Sequence, residues 1–241
     1  FGPNHPDVAK SLNNLATTIF GLNELEDARK YFFRALAIDE RVYGREHPST
    51  ATTLNNYGMI LHIEGVNGKD REKLEEAKRV YENVLAIRKK FFGLWNADVA
   101  TALHNLGAVH KALADMDRNL AREYSEQARE IRKRILHPDH FHLAYSLNQL
   151  GLIAQEEGNY DEAETLLDQA FRIRQTRNGP GHVDTLKSRD RLGRLYVDRG
   201  KRDQAIQLYL EALEVAERVL GNDHPVCEVI REHLARIRRN E

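Results

Sequence analysis

Cysteine is almost missing from this sequence: Cys227 is the single one among 241 residues. One thiol closes no internal disulfide, which excludes the stapled secreted scaffolds and suits a reducing, cytoplasmic setting. No uninterrupted apolar run is long enough to cross a bilayer, and no signal-peptide pattern is present, so no membrane insertion is expected of these residues. Charge of one sign is lacking too, with 36 Lys and Arg against 37 Asp and Glu. A balance this even gives no global pull toward nucleic acid or anionic membrane. There is no phosphate-cradling glycine loop, nucleophile elbow or paired catalytic carboxylates, so neither an enzyme nor a cofactor is expected. What remains is 41% hydrophobic and 30% charged, a composition able to form a packed core.

What the chain does have is self-similarity. His5, His47, Asn96, His140, His182 and His224 open similar stretches, with separations of 42, 49, 44, 42 and 42 residues. A second ruler uses small residues (Ala16, Gly58, Gly107, Gly151, Gly193, Ala235) and alanines (Ala28, Ala77, Ala121, Ala163, Ala205). From each alanine to the next small residue the distance is always 30. From small residue to alanine it is 12, 19, 14, 12 and 12, so all variation falls in one connection, near Glu64 to Leu74 and Ala114 to Leu120. Loops absorb insertions and packed helices do not, so the pattern is a repeat. The expected units are 3–44, 45–93, 94–136, 137–179 and 180–221, followed by 222–241 as a capping or truncated helix. Phe1-Gly2 matches Tyr43-Gly44 and reads as the tail of a further repeat upstream, so a longer natural chain is expected.

Each unit reads as two helices. Val8, Leu12, Leu15 and Ile19 share one helical face, as do Ala28, Phe32, Ala35 and Leu36 in the following helix. Pro6 and Pro48 suit a first turn, and Gly44, Gly93, Gly179 and Gly221 suit helix ends. A last single helix is expected over 225–239. The charged stretch Val66 to Arg79 reads as an elbow, a loop feeding a longer second helix. No strand is expected.

In "LNQLGLIAQEEGNYDEAETLLDQAFRI", Leu147 to Ile173, Leu-Gly sits in the first helix, Gly158 and Tyr160 in the turn, and Ala163 and Ala170 in the second helix. This resembles the tetratricopeptide repeat pattern. "HPDVAKSLNNLA" and "ALAIDERVYG", with the period near 42, resemble the kinesin light chain type of that repeat along the whole chain. The resemblance implies an all-α, right-handed α-solenoid of about five helical hairpins with a terminal helix. It also implies recognition of partner proteins through short peptides laid in a concave groove lined by the first helices. Two departures stand out. The second repeat carries seven extra residues, and the fifth has Arg189-Asp190-Arg191 in place of Leu-Asn-Asn.

On such a lattice, equivalent positions form ladders. One comprises Asn13, Asn55, His104, Asn148 and Asp190; its neighbour comprises Asn14, Asn56, Asn105, Gln149 and Arg191. A carboxamide has two donors and two acceptor sites, so spaced amides are able to grip an extended peptide backbone; equally, they are able to tie neighbouring helices together. Lys187, Arg191 and Arg194 fall on one stripe of the fifth first-helix and favour an acidic segment. Tyr145 offers a flat contact near the same surface. His137, His140 and His142 suggest a metal, but His140 is a repeat position whose equivalents recur, so capping explains it better and no metal is expected. Trp95 stands in the third repeat's entry, as a gap filler or a contact. The leading expectation is a protein-interaction module serving as adaptor or scaffold. The alternative is a structural spacer or self-association platform within a larger protein.

Overall fold

A computed structural model describes residues 2–113 and 118–239. Among the described residues there are eleven helices and no strand. They divide into two compact units, Phe1–Ile135 and Leu136–Glu241. The first holds α1 (Pro6–Gly21), α2 (Leu25–Tyr43), α3 (Pro48–Gly68), α4 (Arg71–Phe92), α5 (Ala97–Leu113) and α6 (Arg118–Ile135). Here α1 pairs with α2, α3 with α4 and α5 with α6, while α2 packs on α3 and α4 on α5. The second unit holds α7 (Phe141–Glu156), α8 (Tyr160–Asn178), α9 (Val183–Asp198), α10 (Arg202–Leu220) and α11 (Pro225–Arg239). In it α7 pairs with α8 and α9 with α10, α8 packs on α9, and α11 lies against α10 and α9. None of the described helices is long and apolar enough to cross a membrane.

The repeated histidines are helix caps. The Nδ1 atoms of His5, His47, His140, His182 and His224 each accept the backbone N–H two residues on, at 3.1–3.2 Å. Asn96 does the same with its side-chain oxygen, at 2.7 Å from the Asp98 nitrogen. Each thereby satisfies one of the amide hydrogens a helix start leaves unpaired. At the other end, Gly44, Gly93, Gly179 and Gly221 take φ between 72° and 88°, a conformation open to glycine, which stops the second helix of four of the five hairpins; α6 ends at Ile135 without one. Among the described residues no group of three or more His, Cys, Asp or Glu gathers for a metal ion.

Small residues set how closely two helices of a hairpin approach. A Cβ on Gly193 would lie 2.6 Å from the Tyr209 ring, and one on Gly151 2.7 Å from Leu167. The partner alanines Ala28, Ala77, Ala121, Ala163 and Ala205 are all buried. Ala235, the counterpart of Gly193 on α11, is exposed.

Two expectations need correction. Val66 to Arg79 is no loop: α3 continues to Gly68, the turn is Lys69-Asp70, and α4 starts at Arg71 with Asp70 accepting from the Lys73 amide at 3.1 Å. The seven added residues are about two helical turns. They are shared between both arms, which reach 21 and 22 residues against the 16 and 19 of the first hairpin. Leu15, placed on the buried face of α1, is 44% exposed; the buried positions are Ala9, Leu12 and Ala16. Part of the expected variable stretch, 114–117, lies outside the described residues.

Candidate functional site

In the first unit the amides meet one another across helices. Asn56 on α3 donates to the Asn13 side-chain oxygen on α1 at 3.0 Å, and Asn105 on α5 donates to that of Asn55 on α3 at 2.9 Å. Asn55 also reaches Asn56 at 3.4 Å, so one chain of carboxamides runs over three first helices. The two ladders are therefore cross-linked and not parallel. Arg88 on α4, 4% exposed, supports the chain by donating to Asn55 and to the Asp98 carbonyl oxygen. Asn55 is buried, Asn13, Asn56, His104 and Asn105 are half-buried, and Asn14 is exposed. The bonds above use some of the donors and acceptors a peptide backbone would need.

In the second unit the ladder positions are Asn148 and Gln149 on α7 and Asp190 and Arg191 on α9, so one of the four is cationic. Asn148 and Gln149 on α7 are buried. On α9, Lys187 and Arg194 are exposed and Arg191 is half-buried. Arg194 is paired with Asp190 at 2.6 Å, and the other oxygen of Asp190 contacts His233 of α11, also at 2.6 Å. Asp190 is thus occupied on both sides. The Arg191 side chain makes no hydrogen bond or ion pair among the described residues. Burial, and then the neighbouring charges of Arg174 and Arg194, pull its pKa below the ordinary guanidinium value, while Asp190 and Asp184 oppose them. Arg174 on α8 is buried, donates to the Ser188 hydroxyl and lies over the Tyr145 ring at 5.2 Å. Tyr145 itself is 40% exposed. The stripe expected on α9 thus belongs to a wider patch that α8 completes.

Sequence reasoning passed over Arg174 and its equivalents. They stand eleven residues after each marker alanine: Asp39, Arg88, Arg132, Arg174 and Ala216. All five are buried, and four carry charged side chains, an uncommon burden for a repeated core position. Elsewhere, Cys227 is buried against α10 and Trp95 is 44% exposed with the Arg134 guanidinium 4.0 Å over its ring.

The comparisons with known proteins agree with this geometry. The tetratricopeptide repeat family matches residues 7–65, 112–176 and 142–218. A clustered mitochondria protein homolog of Aspergillus oryzae is 36% identical over 76 residues, 30% of this chain but 6% of that protein's length. Among solved structures, BtubC (BKLC) from P. vanneervenii is 27% identical with a TM-score of 0.58, over 73% of this chain and 66% of its own. A Podosopora anserina protein with kinesin light chain nearly identical TPR-like repeats superposes with a TM-score of 0.68 at 23% identity, over 90% of this chain and 98% of its own. By family match and by fold, the chain belongs to the tetratricopeptide repeat family.

Proposed function

We propose that this chain is a non-catalytic adaptor or scaffold module, working in the cytoplasm on protein and not on nucleic acid. It holds an extended segment of a partner against its first helices, and in the second unit that segment is acidic. Repeats of this family generally mediate protein–protein interaction. We take its units as 3–44, 45–93, 94–136, 137–179 and 180–221, with 222–241 as cap. The observation that carries the acidic reading is Arg191, a half-buried guanidinium flanked by two further arginines with no anion of its own. A carboxylate bound there gains charge-assisted hydrogen bonds and relieves the repulsion among its neighbours.

The spacer reading keeps one observation on its side: the first unit's amides bond to one another, as amides that merely fix helix spacing would. A peptide-binding series separates the two. Arg191→Glu is the informative variant, because Arg194 is already tied to Asp190. Extended peptides rich in Glu should lose about ten- to hundredfold in affinity, the worth of one charged hydrogen bond, while their Gln analogues change little. The Glu peptides should also weaken with added salt. Equal responses of both series, or no binding by the parent chain, would leave the spacer reading standing.

A further inference from the structure

The first unit contains a half-open pocket of about 240 Å³ where α1, α2 and α3 meet, lined among others by Asp7, Lys10, Asn13, Asp39, Tyr43 and Thr53. Drug-sized ligands occupy pockets of roughly 300–1,000 Å³, so this one fits a single long side chain and little more. Asp39 is its anomaly. The equivalent position is arginine in the next three repeats and alanine in the last, yet here it is a carboxylate, 6% exposed. It accepts one hydrogen bond, from the Thr53 hydroxyl at 2.6 Å to Oδ2. Among the described residues it has no ion pair within salt-bridge distance. Burial raises its pKa, with Thr53 and the charge of His47 acting against that. A carboxylate held so far from water is a strong demand for a cation.

We infer that this cavity is a binding site for one lysine or arginine side chain of a partner protein, with Asp39 as the counter-charge at its base. Tyr43, 40% exposed, supplies an aromatic wall for the cation and its aliphatic stem. Asn13, the first member of the amide chain, stands at the same cavity, so the backbone carrying the guest side chain would run past the carboxamides of α1 and α3. The lining charges fit this occupant: Asp7 and Asp39 stand against Lys10, with His5 beside Asp7 and His47 near Asp39, and an acidic guest would meet a buried like charge. Lys10 is exposed at the rim, where its ammonium competes with the guest. The site goes beyond the reading based on Arg191, lies in the other unit, and stands or fails separately from it.

The test uses the whole chain, isotope-labelled, titrated with Nα-acetyl-lysine methylamide and with its uncharged analogue Nα-acetyl-norleucine methylamide at constant ionic strength. The lysine probe should give saturable amide shifts at Asn13, Ser49 and Thr53, with affinity about tenfold or more above that of norleucine. Asp39→Asn keeps the size and the acceptor for Thr53 and should abolish the preference. Lys10→Gln, on the surface, should strengthen lysine capture about two- to threefold by removing the competitor. Equal shifts with both probes, a lysine preference that survives Asp39→Asn, or a loss of capture in Lys10→Gln would overturn the proposal.

Discussion

A carboxylate withdrawn from water destabilises the fold unless its partners offset the loss, and Asp39 is offset by a neutral hydroxyl. Its pKa is raised by burial above the ordinary 3.8, so the folded chain holds this proton more tightly than the unfolded chain does. The contribution of Asp39 to stability is therefore complete below the ordinary carboxylate value and is lost as pH rises through the raised one. Asp39→Asn should accordingly be more stable than the parent near neutrality, with the difference closing as pH falls toward about 4. Urea melts of both proteins across that range check it. A difference independent of pH would mean the carboxylate is solvated in the native state. Arg88 and Arg174 sit at the same repeat position and meet the same penalty, since burial lowers both their pKa values; each sets against it a hydrogen bond to a neighbouring oxygen on the next first helix.

At the level of the helices, spacing within a hairpin is set by residues without bulk. Gly193→Ala adds a methyl against the Tyr209 ring, which is held by a hydrogen bond from its hydroxyl to the Asp190 carbonyl oxygen at 3.2 Å. Overpacking of this kind costs about 1–3 kcal/mol and outweighs the ~1 kcal/mol that alanine gains in a helix. Gly21→Ala, with nothing near its added Cβ, keeps that gain and should stabilise by up to about 1 kcal/mol. Opposite signs in chemical denaturation test the pair. The same small-residue positions made the hairpins readable beforehand, since a fixed distance of 30 residues survives only where two helices pack through it. The caps were readable for a similar reason: a helix start has local chemistry that His and Pro answer within two residues. Cross-helix partners were not. Sequence places Asn13, Asn14, Asn55 and Asn56 on one face, but packing decides that Asn56 meets Asn13 while Asn14 faces water. The Val66 to Arg79 stretch misled because its high charge resembles a loop, whereas it lengthens the two helical arms by about two turns in all.

At the scale of the chain, each unit carries its own apolar clusters. Those of the first unit are built from residues between Val8 and Ile131, those of the second from residues between Leu143 and Ile237. Repeat arrays derive stability from neighbouring units, so a local defect need not spread through the array. The sequence supplies a reporter for this, because its one tryptophan, Trp95, lies in the first unit with Arg134 stacked on its ring. In Gly193→Ala the defect lies in the second unit. Urea unfolding followed by Trp95 fluorescence should therefore keep the parent midpoint, while far-ultraviolet circular dichroism, which sees all helices, should broaden and begin at lower urea. If both signals move together by the same amount, the two sets of clusters unfold as one cooperative body. In that case a partner gripping the Asp39 cavity would also protect the arginine patch against unfolding.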